Sequence, residues 1–495
     1  MRYTLIISLL LLHLLPGFAH IQLPPVISSG MVLQQKSKVA FWGYTTPGGD
    51  VAISAEWLNK EIRVKADIQG RFQTFLKTPQ AGGPYRITVC EGDNQLTLED
   101  VLIGEVWFSS GQSNMEWTLK RDMNARRELS NADYPQIRLF NIPRKIAYDP
   151  LDGREGEGRW EKCDSISASR FSAISYFFAR ELYHVLKVPV GMISASWGGT
   201  PAEAWTEPEQ MRTSPKLAGV YDRWQKWETD FLTDSAEYAQ KMHLFAGTGK
   251  KPEEPQSVYM LKRPHRKPSA LYNGMVSPIV PYTIKGVVWY QGTSNRTWAE
   301  EYFDQLQALL GGWRNVWNQK DLPFLLLQIS PFNYSDAHKG SLIRENQLRI
   351  LSLRRTWVCP TMDLGMLEDI HPPHKYPFGK RFGNMALHNL YGRKEYPVSG
   401  PLYKGYSKQK EKIIIRFDYA QSLHFKGDKL NDIMIAGEDR IFVPAQAVVK
   451  ENKLIVWSDE VQNPVSVRYA WENTVRANLF NAFDLPASSF RTDHW

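Results

Sequence analysis

Apolar residues follow two rhythms along the chain, and the change between them divides it. From residue 22 to about 100, short runs such as KVAFWGY, DVAISAEW, EIRVKADI, RFQTFLKT and YRITVCEG alternate roughly between apolar and polar positions. Gly- and Pro-rich breaks (TPGGD, QGR, AGGPY) separate them. Period-two alternation punctuated by turn residues predicts strands, and a block of this size predicts a small β-sandwich over residues 20–100. From about 101 the apolar runs become nearly continuous. VLIGEVWFSS has the composition of a parallel strand covered on both faces. ISYFFARELYHVL then places Ile174, Phe177, Phe178, Leu182, Val185 and Leu186 on one helical face. VPVGMISAS, IKGVVWYQG, PFLLLQIS and WVCPTMDLG predict further strands. Between and after them, YFDQLQALLGGWRNVW, RENQLRILSL and GKRFGNMALHNLYG predict helices. Such alternation predicts an α/β fold with a doubly wound parallel sheet over residues 101–395. After about 396 the chain returns to β with KIIIRFDYA, DIMIAGE, KLIVWSDE and SVRYAWEN, a C-terminal β region over 396–495.

Residues 206–275 interrupt the α/β rhythm. A polar helical stretch, YDRWQKWETDFLTDSAEYAQKMHLF, precedes TGKKPEEPQSVYMLKRPHRKPS, which has no apolar period and reads as a long loop. An insertion of this kind is expected to form a lid or a substrate wall. At the start, Arg2, the apolar run Leu5 to Leu15 and the small residues Gly17 and Ala19 predict a cleavable signal peptide over residues 1–19. The expected location is therefore secreted or periplasmic, and no later stretch is long and apolar enough to predict a membrane span.

The formal net charge is +8, but acidic residues are interleaved with Lys and Arg nearly everywhere. The densest basic patch, Lys262-Arg263 to Arg266-Lys267, is short and broken by Pro264. The excess reads as general surface charge, with no nucleic-acid partner expected. Cys90, Cys163 and Cys359 match no metal-binding spacing, allow one disulfide at most and are expected to be buried thiols.

Four places in the α/β part combine a strand's carboxyl end with a polar or glycine-rich loop, the edge where open α/β sheets bind ligands. The first is Gly111-Gln112-Ser113-Asn114, where a serine at a strand-to-helix turn can present its hydroxyl as a nucleophile. The second is Trp197-Gly198-Gly199-Thr200, whose glycines let a backbone N–H approach a substrate oxygen. The third, Gln291-Gly292-Thr293-Ser294-Asn295, offers the Asn295 amide as a neutral donor. The fourth, Glu368-Asp369-Ile370-His371-Pro372-Pro373, joins carboxylates to a histidine just before the last helix. Singly, each has a plain alternative as a turn, a helix cap or a surface histidine. Together they supply a nucleophile, a base with an orienting acid, and donors for an oxyanion.

The blocks GEVWFSSGQSNMEW, ISASWGGTPAEAW, GVVWYQGTSN and EDIHPPHKYPFGKRF resemble, in order, those of the sialate O-acetylesterase family of SGNH hydrolases. MVLQQKSKVAFWG and NLFNAFDLPASSFRTD extend the likeness over essentially the whole chain after its first twenty residues. The resemblance implies an SGNH-type hydrolase domain flanked by all-β regions, and a carbohydrate esterase that removes O-acetyl groups from sialic acid without metal or organic cofactor. Acetylated plant polysaccharide is the alternative substrate, and a non-catalytic sugar-binding protein the alternative class. By position, Ser113 matches the nucleophile, His371 the general base and Asp369 the acid, with Glu368 one residue earlier as the other choice. The oxyanion donors implied are the N–H groups of Ser113 and Gly199 (Gly198 being its neighbour) and the Asn295 amide. Gln112, Gln291 and Trp197 are candidates to touch the sugar. One position departs from the family pattern: Thr293 stands where the third block usually has Glu.

Overall fold

One strand, Asn94–Gly111, carries the chain from the N-terminal β region into the α/β body. Its first part pairs antiparallel with Gly82–Glu91, and Leu102–Gly104 pair parallel with Val32–Gln34. Its last residues pair parallel with Val190–Ser196 on one side and Gly286–Tyr290 on the other. The division expected at residue 100 therefore lies inside a continuous strand. The computed structural model describes residues 21–495, and the signal peptide expected over residues 1–19 lies outside them.

Around that strand the sheet runs in the order Thr356–Cys359, Phe324–Leu327, Gly286–Tyr290, Asn94–Gly111, Val190–Ser196, Tyr134–Asn141, Trp160–Cys163. Every neighbouring pair is parallel except the last, which is antiparallel. Side chains along a strand alternate between faces, and here both faces are apolar. Val106, Phe108, Val287, Trp289, Phe324 and Leu326 join a core that includes Tyr302, Leu306 and Trp313 of helix Tyr302–Val316. Trp107, Val288, Tyr290, Leu325 and Leu327 join another, with Phe177 and Phe178 of helix Ala173–Leu186 and Phe382 and Met385 of helix Tyr376–Leu390. A sheet covered on both sides explains why these strands read as unbroken apolar runs. With the N-terminal strands included, the protein is an α/β fold with a mixed sheet and additional β regions.

After the central strand the chain builds the Val190–Ser196 side and then crosses to the Gly286–Tyr290 side. The connections diverge at the carboxyl end of the central strand, which opens a crevice between them. The 206–275 insertion is more helical than expected. Besides the long helix Ala218–Leu244, of which only Val220 and Trp224 are buried, it contains helix Gln256–Leu261 with Ser257, Val258 and Met260 buried. Two anchoring apolar residues are too few to show a period in the sequence. The C-terminal region forms two four-stranded antiparallel sheets around its own core. It docks onto the α/β body through buried Arg344, which donates to Ser489 Oγ and the Glu472 carbonyl. The three cysteines are unpaired, with Cys163 and Cys359 buried and Cys90 half-buried. No helix among the described residues is long and apolar enough to cross a membrane.

Candidate active site

Gly111 ends the central strand with φ +150°, and a Cβ there would stand 2.2 Å from the Tyr290 carbonyl oxygen of the adjacent strand. Only glycine lets the strand turn out of the sheet at that point. Gln112 remains extended, and a one-turn helix, Ser113–Glu116, begins directly after it. Met115 is completely buried, and Trp117 stacks on the His371 imidazole with ring centroids 5.7 Å apart. The apolar residues after the polar turn thus clamp it between the core and the histidine loop.

Ser113 Oγ and His371 Nε2 lie 2.8 Å apart, although the two residues are 258 positions apart in sequence. Asp369 Oδ1 is 3.8 Å from His371 Nδ1 and accepts the His371 backbone N–H at 2.8 Å. Glu368 is exposed and bonds to neither. Of the two candidate acids, only Asp369 is within reach of the imidazole. Burial, then Lys375 and Arg121, hold the His371 pKa below the ordinary 6.5, while Asp369 pulls it up. A histidine with a lowered pKa is neutral near pH 7, as a base must be.

Sequence reasoning missed the strap that ties the serine turn to the histidine loop. Asn114 Nδ2 donates to the Ile370 carbonyl at 2.9 Å, and the buried Lys375 ammonium donates to Asn114 Oδ1. The Lys375 N–H also donates to Asp122 Oδ2 at 2.8 Å. Burial lowers the Lys375 pKa to about 7. No spacing signal marks Lys375, because its partners come from the other end of the domain.

The second block abuts the serine: a Cβ on Gly198 would stand 3.2 Å from that of Ser113. The Gly198 N–H is taken by Glu116 Oε2 at 2.9 Å, and Glu116 Oε1 in turn holds Arg144. Gly199, at φ +73°, is exposed, and its N–H has no acceptor among the described residues. Arg266, from the insertion, donates to the Gly199 carbonyl. Trp197 is half-buried and stacks on His265 of the same insertion, with centroids 4.9 Å apart and planes 5° apart. Arg144 lies 5.3 Å from the Trp197 ring centroid.

The third block corrects two expectations. Asn295 is fully buried, and its two amide hydrogens go to Glu203 Oε2 and Gln305 Oε1. Its Oδ1 accepts from the Ala202 N–H and Gln291 Nε2. Because the Ala202 N–H can only donate, the amide cannot be turned round, and no hydrogen is left for an oxyanion. Gln291, 1% exposed, is likewise spent: Nε2 donates to Thr200 O and Asn295 Oδ1, and Oε1 accepts from Tyr302. It holds the loops and has no free group for a sugar. Gln112 is the opposite case. It is 6% exposed, its Oε1 accepts from the N–H groups of Gly292 and Ser294, and its Nε2 has no acceptor among the described residues. Thr293 Oγ1 lies 3.4 Å from the Tyr334 hydroxyl at the mouth of a small pocket that Gln112, Phe332 and Asp369 also line. Among the described residues no group of three or more His, Cys, Asp or Glu is placed to hold a metal ion.

Comparison with known proteins adds the following. Residues 259–388 match the model of a family described as carbohydrate esterase, sialic acid-specific acetylesterase. Sialate O-acetylesterases of Pongo abelii and Homo sapiens are each 28% identical over 490 residues, covering 90% of this chain and 86% of the relative. The crystal structure of a carbohydrate acetylesterase from Xanthomonas citri superposes with a TM-score of 0.83 at 32% identity, covering 96% of this chain and 100% of that one.

Proposed function

The chain belongs to the carbohydrate esterases of the sialic acid-specific acetylesterase family, and on that premise we propose that it hydrolyses O-acetyl esters of sialic acid with Ser113 as nucleophile. The observation that carries the reading is the 2.8 Å approach of Ser113 Oγ to His371 Nε2 at the carboxyl end of the central strand. His371 Nε2 takes the Ser113 proton as Oγ attacks the acetyl carbonyl carbon. The tetrahedral oxyanion collapses, the sugar oxygen leaves with the proton from His371, and an acetyl-serine remains. A water then attacks the acetyl carbon while giving a proton to His371. Acetate departs, and the proton returns to Ser113 Oγ. Asp369 steadies the imidazolium.

The oxyanion receives three donors in this reading: the Ser113 N–H, the Gly199 N–H and Gln112 Nε2. The Ser113 N–H lies in the first turn of a helix and has no helical partner. Gln112 takes the place expected of Asn295, because its Nε2 has no acceptor among the described residues and it lines the pocket beside Asp369. Each such donor contributes about 2.7–4 kcal/mol to transition-state binding. The Trp197–His265 stack forms a wall suited to the ring of a sialic acid, with Arg144, held by Glu116, beside it. The finer assignment of the fold as an SGNH hydrolase, the division into β-sandwich, catalytic and C-terminal β units, and export by a cleavable signal peptide all belong to the same proposal.

The test is acetate release from O-acetylated sialic acid and, separately, from acetylated xylan, by wild type and Ser113→Ala. A sialate activity reduced about 10⁴-fold or more in the variant is expected. A better rate on xylan would replace the substrate and keep the mechanism. Activity retained in Ser113→Ala would remove the mechanism.

A further inference from the structure

A second and larger concavity lies on the far side of the sheet. Its wall includes Lys285, Pro323 and Arg355, each immediately before one of the parallel strands. It therefore sits at the amino ends of the strands whose carboxyl ends carry Ser113. Its volume is about 1100 Å³.

The floor of this groove is a two-stranded antiparallel ribbon, Lys38–Tyr44 paired with Arg71–Lys77. Residues two apart share a face, so Arg71, Gln73 and Phe75 stand in a row beside Tyr44, Trp42 and Ala40. Phe72 and Leu76, on the other face, are buried in the core. The row is spaced about 6.8 Å per step. Phe75 is 53% exposed and faces the groove.

The charges around the groove are unbalanced. Lys36, Lys38, Arg71, Lys285, Lys320 and Arg355 all line it, and none makes an ion pair among the described residues. The two lining carboxylates, Asp152 and Asp321, are already held by Arg154 at 2.7 Å and Arg354 at 3.1 Å. Six unpaired cations around one concave surface repel one another, and the low-dielectric walls focus their field. The positive excess that reads in the sequence as general surface charge is in part gathered here.

We propose that this groove is a second, non-catalytic binding site for an acidic oligosaccharide, a chain of carboxylate-bearing sugars. The unpaired Lys and Arg meet the carboxylates, Gln73 and neighbouring amides meet hydroxyls, and Phe75 supplies a face for a ring. Such a site would hold an anionic glycan against the protein while a segment of it reaches Ser113. The choice of a sugar chain over other polyanions rests on the esterase reading above; the charge argument does not.

Binding is measured on Ser113→Ala protein by calorimetry at low salt, with an α2,8-linked sialic acid hexamer, a neutral dextran hexamer and a single-stranded DNA oligonucleotide as probes. The sialic acid hexamer is expected to bind with one site in this groove and the dextran not at all. The double variant Arg71→Glu/Lys320→Glu, made in the same background, should weaken the acidic hexamer about tenfold or more and flatten its salt dependence. In the Ser113 background the same double variant should leave hydrolysis of an aryl acetate unchanged, since neither residue is near the serine. Phe75→Ala keeps every charge and should weaken the hexamer while leaving the DNA oligonucleotide unaffected. Absence of hexamer binding, or equal binding by the charge-reversed protein with an unchanged melting temperature, overturns the site. DNA binding as tight as the hexamer, with both weakened equally by Phe75→Ala, overturns the sugar assignment. Because binding is read without turnover, a failure of the esterase mechanism leaves these outcomes legible.

Discussion

Two neighbouring polar regions treat their hydrogen bonds in opposite ways. Beneath the second and third loops, Asn295, Gln291, Gln305, Glu203 and Tyr302 form a buried network in which Asn295 and Gln291 have every side-chain hydrogen placed. Burial pushes the Glu203 carboxyl up, while the Asn295 amide and the Arg266 and Arg223 charges draw it down. At the rim above, Gln112 Nε2 and the Gly199 N–H have no acceptor among the described residues. The Asn295 and Gln291 amides are fixed as scaffold, because a donor already bonded cannot strengthen its bond as charge develops on substrate, and Gln305 Nε2, though without a partner, is fully buried. The difference lies in the partners, since Asn and Gln carry the same chemical group.

The sharpest way to break that contrast is to remove one amide donor on each side. Gln112→Glu keeps an oxygen for the Gly292 and Ser294 N–H groups but loses the free donor. It is expected to lower kcat about 10²- to 10³-fold with KM nearly unchanged, and to leave the melting temperature close to wild type. A phosphonate adduct of wild-type protein supplies a measurement independent of folding: the phosphoryl oxygen should lie within hydrogen-bond distance of Gln112 Nε2 and not of Asn295 Nδ2. The reverse placement would return the role to Asn295.

Asn295→Ala should behave in the opposite sense. It strands Glu203, Gln305 and the Ala202 N–H in a buried space, and unmet buried groups of this kind cost about 1–3 kcal/mol each. A stability loss of about 3 kcal/mol is expected in denaturant unfolding, with kcat falling by less than in Gln112→Glu. A larger kcat effect than that of Gln112→Glu, at unchanged stability, would invert the assignment of scaffold and site.

Asp369, the proposed acid, is held less closely than Ser113 and His371 hold each other. Asp369 and His371 side chains are 51% and 32% exposed, and their closest approach is 3.8 Å. An exposed pair contributes up to about 1 kcal/mol, so Asp369→Asn is expected to lower kcat about fivefold or less. Glu368→Gln, with no contact to the imidazole, should leave kcat unchanged. A large loss in Glu368→Gln and none in Asp369→Asn would exchange the two.

The parallel sheet and the polar loops at its carboxyl edge were legible in the sequence, for a physical reason. Strands covered on both faces leave unbroken apolar runs, and a serine or histidine at their ends stands out against them. What it could not carry was the destination of each amide hydrogen. Asn295 and Gln112 both sit in polar loops, and only the fold brings the Ala202 N–H and Glu203 onto one and not the other. The groove was hidden for a related reason: Lys36, Lys38 and Arg71 come from the N-terminal ribbon, and Lys285, Lys320 and Arg355 from loops far along the chain. Only the fold brings these two sets of cations onto one concave surface. The strand Asn94–Gly111 hid the junction of the two regions because its alternating first half and its continuously apolar second half obey different rules in one element.

The last and smallest expected effect concerns the strap behind the histidine. A general base acts when neutral, so activity should rise with pH through the His371 pKa and level off above it. Burial, Lys375 and Arg121 place that pKa below 6.5, and Asp369 opposes them. Lys375, with its own pKa lowered to about 7, is charged across the pH range in which His371 titrates. Lys375→Met removes a cation that disfavours the imidazolium, so the acid limb of kcat/KM should move to higher pH. Lys375→Arg keeps the charge and should leave the limb in place even if the altered contact with Asn114 lowers the plateau. A limb that stays fixed in Lys375→Met while the plateau falls would make Lys375 a purely structural tie, and the rim would then owe its neutral histidine to burial and Arg121.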